Sequence, residues 1–188
     1  MNKAKITKIA LANTKLQRAI HSAFKQTPAP DEVDLTPANN LGDPDAVGIR
    51  RRVGGKTWPK LLQELFDMGE MELNFFHSVY RLFTPFAFHY YLPAFMVVSL
   101  DPDRGGLVGE HLVYALTPSS VRGTFHDRWF TDVVARVTPP QRRAIRLFIL
   151  YLNDICQQLE IGNVTDDETL YHFWFPEGFP RDVSDDIV

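Results

Sequence analysis

Apolar residues recur with a helical period along most of this chain. In TKLQRAIHSAF, Leu16, Ala19, Ile20, Ala23 and Phe24 share one face, and Lys15, Arg18, Ser22 and Lys25 lie opposite. Ile6, Ile9 and Ala12 carry the stripe backwards, which predicts one basic amphipathic helix over residues 1–26, ended by TPAP. Residues 27–56 hold four prolines and few large apolar groups, and read as a surface loop. Thr57 then caps a short helix that buries Leu61, Leu62, Leu65 and Phe66, and ELNFFHSVYRLF reads as another.

Thr84-Pro85 is a helix start, a capping hydroxyl followed by proline at the first helical position. The helix it opens carries FAFHYYLPAFMVV and is apolar or aromatic on every side except at His89. A helix that is hydrophobic all round is buried, so this one is expected at the centre of the core. Pro93 deprives the His89 carbonyl of its usual intrahelical donor and is expected to kink the helix there.

Residues Leu107–Leu116 and Trp129–Val137 read as two further helices. Thr138-Pro139-Pro140-Gln141 is a capping box opening the clearest helix of all. Its apolar face holds Ala144, Ile145, Phe148, Ile149, Tyr151, Leu152, Ile155 and Leu159. Thr165-Asp166-Asp167-Glu168 is a second capping box, before LYHFWF. Strand-period alternation is hard to find. The expected fold is all-α: a single-domain multi-helix bundle over residues 1–175, with a helical core at 57–175 and an acidic tail at 176–188.

Composition narrows the class. At 188 residues the chain can bury a sizeable core, and fourteen Phe, six Tyr and three Trp favour packing over disorder. Cys156 is the only cysteine, so no intrachain disulfide is possible, which suits a cytoplasmic location. Lys8 interrupts the short apolar start, so a secretory leader is not expected, and no run is long enough to span a bilayer. The net charge of −3 argues against a dedicated nucleic-acid binder. It also hides an asymmetry. Residues 1–27 carry six bases and no acid, whereas residues 160–188 carry eight acids against Arg181 alone.

Candidate chemistry is sparse. Gly55-Lys56-Thr57 is the tail of a phosphate-binding loop, but Arg50 stands where that motif needs glycine. Asp101, Asp103 and Gly106 match three calcium-loop positions, while Gly105 and Leu112 occupy places that need carboxylates. The histidines lack metal-ligand spacing, so neither a metal nor another cofactor is expected. His126-Asp127-Arg128 forms a compact polar triplet before Trp129, which reads first as a helix-start salt bridge.

LQRAIHSAF, GKTWPKLL, FTPFAFHYYLPAFMVVSL and TPPQRRAIRLFILYL together resemble a family of small bacterial proteins of unknown function. That family is marked by an alanine–aromatic pair leading into a Tyr-Tyr-Leu-Pro-Ala core. The resemblance covers most of residues 13–155 and leaves out the basic leader and the acidic tail. It implies a bacterial helical domain and carries over no catalytic residue.

Three functional readings follow. The first is a non-enzymatic protein that binds another protein, such as an immunity or antitoxin protein. Asp166, Asp167, Glu168, Asp182, Asp185 and Asp186 would then mask a basic partner. The second is a small-ligand binder or enzyme at the Pro93 kink. There His89 would be the acid–base group, Tyr90 or Tyr91 a hydrogen-bond donor, and Arg81 or Arg128 an anion clamp. The third is a homo-oligomer, suggested by Leu147 and Leu150 on the polar side of the long helix.

Overall fold

The computed structural model describes residues 3–101, 106–159 and 168–178, with side chains omitted for 3–12, 70, 77, 78, 106, 107 and 155–159. Every regular element among the described residues is helical, so the fold class is all-α. The chain divides into two compact units. One joins residues 1–25 to residues 138–188, and the other is the continuous stretch 26–137.

The first unit contains α1 (Lys3–Phe24), α8 (Pro139–Leu159) and α9 (Glu168–Trp174), separated in sequence by the helices of the second unit. The stripe of α1 is buried at Leu16, Ile20 and Phe24, and α1 packs along α8. The capping box of α8 is formed as expected: the Thr138 N–H donates to Gln141 Oε1 at 2.9 Å. Leu147 and Leu150 are buried within the chain, which removes the free face they suggested in the sequence. Arg142 stacks on Phe173 and Trp174 of α9, and Arg146 stacks on Phe175 and pairs with Glu177 at 3.3 Å. Long cationic stems thus cover the aromatic end of this unit while their charges reach water.

The second unit contains α2 (Pro44–Val53), α3 (Trp58–Asp67), α4 (Glu70–Val79), α5 (Pro85–Ser99), α6 (Gly106–Ala115) and α7 (Phe125–Val134). Its centre is α5, buried from Ala87 to Ser99 and packed against α3, α6 and α7. The helix runs unbroken through Pro93. Its start is capped as the sequence predicts, with Thr84 Oγ1 accepting from the Ala87 N–H at 3.1 Å. Phe95 is the hub, within 6.0 Å ring to ring of Phe76, Tyr80 and Phe83. Phe66, expected to be buried, is only partly so.

Residues 27–56 are not the loop their prolines and glycines suggest. They hold α2 and two short 3-10 turns, Glu32–Asp34 and Ala38–Asn40, and they bury Leu35, Ala46, Ile49 and Val53. The segment is pinned at several points. Thr84 donates from its N–H to the Leu35 carbonyl and from Oγ1 to the Asp34 carbonyl. Arg50 donates to Thr36 Oγ1 and to the Leu41 carbonyl. Asp43 caps α2, accepting from the Asp45 and Ala46 N–H groups, and Pro44 takes the first helical position, where a missing N–H costs nothing.

Candidate functional site

The tyrosines of α5 take part in its packing. The Tyr91 hydroxyl donates to the Lys56 carbonyl at 2.8 Å, with the Val53 carbonyl 3.3 Å away. The Tyr90 hydroxyl accepts from the Trp58 N–H at 3.3 Å. The two rings meet edge to face at 4.8 Å. Both phenols therefore tie α5 to the link between α2 and α3, where Gly55 takes a left-handed φ of 68° and lets the chain turn. Lys56, the lysine of the near P-loop, pairs with Glu64 of α3. His89 is buried, at 5% exposure. Burial pushes the Tyr91 hydroxyl well above the ordinary phenol range, reinforced by neighbouring Tyr90, so it stays protonated.

A different constellation gathers where α6 meets α7. Arg81 lies on the 3-10 turn Tyr80–Leu82, which is held from two sides. The Tyr80 hydroxyl donates to the Val108 carbonyl of α6 at 3.3 Å, and the Trp129 indole N–H donates to the Phe83 carbonyl at 2.9 Å. The Arg81 guanidinium carbon stands 4.3 Å from the ring centre of Tyr114 on α6. That ring stacks on His126 of α7, 6.0 Å between centres and 7° from parallel. His126 stacks in turn on Trp129 at 6.2 Å.

The histidine is fixed in one tautomer. Its Nε2 lies 2.8 Å from the Thr117 carbonyl, which can only accept, so Nε2 carries the proton. Burial holds the imidazole below its ordinary pKa. The Thr117 carbonyl opposes that shift, Arg81 adds to it, and Asp127 opposes it. In the neutral ring Nδ1 is an acceptor, and it is buried with no protein donor. Arg81 Nη2 is a buried donor with no acceptor. An unsatisfied buried polar group costs about 1–3 kcal/mol, more when charged. Two such atoms lie in one cluster.

The turn between α6 and α7 is held by several hydrogen bonds. Thr124 Oγ1 caps α7 by accepting from the Asp127 N–H at 3.1 Å, and Asp127 accepts from the Gly123 N–H at 2.7 Å. Ser119 Oγ donates to the Val121 carbonyl at 2.9 Å. Asp127 is thus spent on the turn, Arg128 is exposed, and the expected helix-start salt bridge gives way to a backbone cap.

Of the residues expected at a site, Arg81 therefore joins His126 rather than His89, Tyr90 and Tyr91. Tyr114 was missed, because nothing in YALTP ties it to an arginine on another element. Among the acidic residues Glu168 is exposed, while Asp166, Asp167, Asp182, Asp185 and Asp186 lie outside the described residues. No group of His, Cys, Asp and Glu among the described residues could hold a metal ion, and no described helix is long and apolar enough to cross a membrane.

A family model covers residues 12–177 of the chain, taking in both units and every side chain of this constellation. The chain belongs to a family of unknown function, DUF6714. Family membership assigns no activity to Arg81, Tyr114 or His126. No curated protein and no solved structure matches the chain.

Proposed function

We propose that this protein works by binding another protein rather than by catalysing a reaction, and that residues 114–126 carry the contact. One observation supports this most. Tyr114 at the end of α6, Val121 on the turn and Phe125 at the start of α7 are 59%, 60% and 56% exposed, and hydrogen bonds of Ser119, Gly123 and Thr124 hold the turn between them. Apolar side chains on a preorganised turn lose little freedom on docking. Tyrosine and arginine are also the residue types that most often dominate binding energy.

The acidic residues of the C-terminal stretch, Glu168 among them, add long-range attraction for a basic partner. An immunity or antitoxin role is the concrete form of this reading. The test is site-specific photo-crosslinking in the native host. A photoreactive residue at Val121 or Phe125 is expected to trap one discrete partner, and one at exposed Arg51 is not. Equal labelling at all three positions, or none, would overturn the proposal. Neutralising the six acids is expected to slow association without moving the crosslinked positions.

A further inference from the structure

The Arg81 guanidinium has an unusual setting. Its Nη2 is buried without an acceptor, and among the described residues no carboxylate pairs with it. Its neighbour is the face of Tyr114 at 4.3 Å. The 3-10 turn that carries Arg81 is held by Tyr80 on one side and Trp129 on the other. Tyr114 is more than half exposed, so its ring is not enclosed by the core.

We propose that Arg81 is a carboxylate-binding residue and that Tyr114 is the movable cover of its site. When the ring turns outward, the planar guanidinium fork is uncovered and pairs with a ligand carboxylate, whose two oxygens match the fork. A singly charged anion suits the site better than phosphate. Of the three stacked residues Arg81 is the cation, burial holds the His126 imidazole below its ordinary pKa, and Asp127 acts on that ring with negative charge. In the partner-binding reading above, on which only this source depends, the carboxylate is an Asp or Glu side chain of the docked polypeptide.

The test is an NMR titration of the full chain, following the Arg81 side-chain N–H resonances. The probes are sodium acetate, N-acetylglutamate N-methylamide and inorganic phosphate. Acetate is expected to give a saturable shift in the wild type. Binding is expected to tighten several-fold in Tyr114→Ala, to weaken in Arg81→Lys, and to vanish in Arg81→Gln. The absence of a saturable shift in both wild type and Tyr114→Ala overturns the proposal, as does an acetate response that survives Arg81→Gln. Phosphate binding more tightly than acetate overturns the assignment to a carboxylate.

The source is read separately. A glutamate derivative that binds more tightly than acetate and competes with crosslinking at Phe125 places the carboxylate on a polypeptide. An acetate shift with no crosslinked partner supports the site and rejects the partner-binding reading. Crosslinking with no acetate shift does the reverse.

Discussion

The Tyr91 hydroxyl reaches 35 residues back along the chain to the Lys56 carbonyl at 2.8 Å, and so joins the central helix to the turn that ends α2. This bond gives one of the polar side chains of the buried helix its partner. It also sets the cost of removing it.

Tyr91→Phe keeps the ring and deletes the donor, leaving the carbonyl of Lys56 without its phenolic partner. A loss of about 1–3 kcal/mol is expected. Tyr90→Phe removes a weaker bond at 3.3 Å and is expected to cost less. Urea unfolding midpoints for the two variants decide it, and equal costs would mean the Tyr91–Lys56 bond stabilises no more than the longer Tyr90 bond.

Alkali is expected to destabilise the fold. Burial raises the hydroxyls of Tyr80 and Tyr91, and raises that of Tyr151 to about 12, with Asn13 opposing and Asp154 adding to the last shift. Above the ordinary phenol value of about 10 the unfolded chain releases these protons while the folded chain keeps them. The stability they contribute is full below that value and is lost as pH rises from it through the raised folded values. Thermal melts from neutral to strongly alkaline pH test this, and a flat profile would contradict it.

His126 works in the opposite direction. Its folded pKa lies below the unfolded value, so protonation favours unfolding. Stability is present above about pH 6.5 and declines as pH falls below it. His21 is lowered in the same sense by burial. His126→Gln is expected to flatten the acid limb of the stability profile, with His21 accounting for the remainder. An unchanged acid limb would place the effect elsewhere.

Gly48 sits inside α2, where alanine would ordinarily add about 1 kcal/mol. A Cβ there would stand 2.9 Å from Phe75 Cζ, the ring on which Arg52 stacks at 4.1 Å. Gly48→Ala is therefore expected to yield no such gain, and to disturb the Arg52–Phe75 stack. A midpoint raised by the full amount would show that Phe75 moves aside freely.

Much of the fold was readable because caps are local. Thr57, Thr84 and Thr138 each announce a helix within four residues, and each helix is there. The α2 helix was hidden although Asp43-Pro44 is a start of the same kind, because the surrounding prolines and glycines outweighed it. The start of α7 was missed by four residues for a related reason: Thr124 and Asp127 cap it, yet FHDR has no apolar stripe of its own. The Arg81–Tyr114–His126 constellation was illegible in principle. Its members lie on three elements, and only tertiary packing brings them together.

The division of the chain has a consequence for its synthesis. The unit formed by residues 26–137 is continuous, whereas α1 packs on α8, whose first residue follows more than a hundred positions later. At translation rates of about 5–20 residues per second, α1 emerges roughly 5–25 seconds before its partner helix begins. Throughout that interval the stripe of Leu16, Ile20 and Phe24 has no α8 to cover it, while the intervening helices have the time to fold. The nascent chain therefore carries an amphipathic helix without its α8 partner until the last long helix arrives.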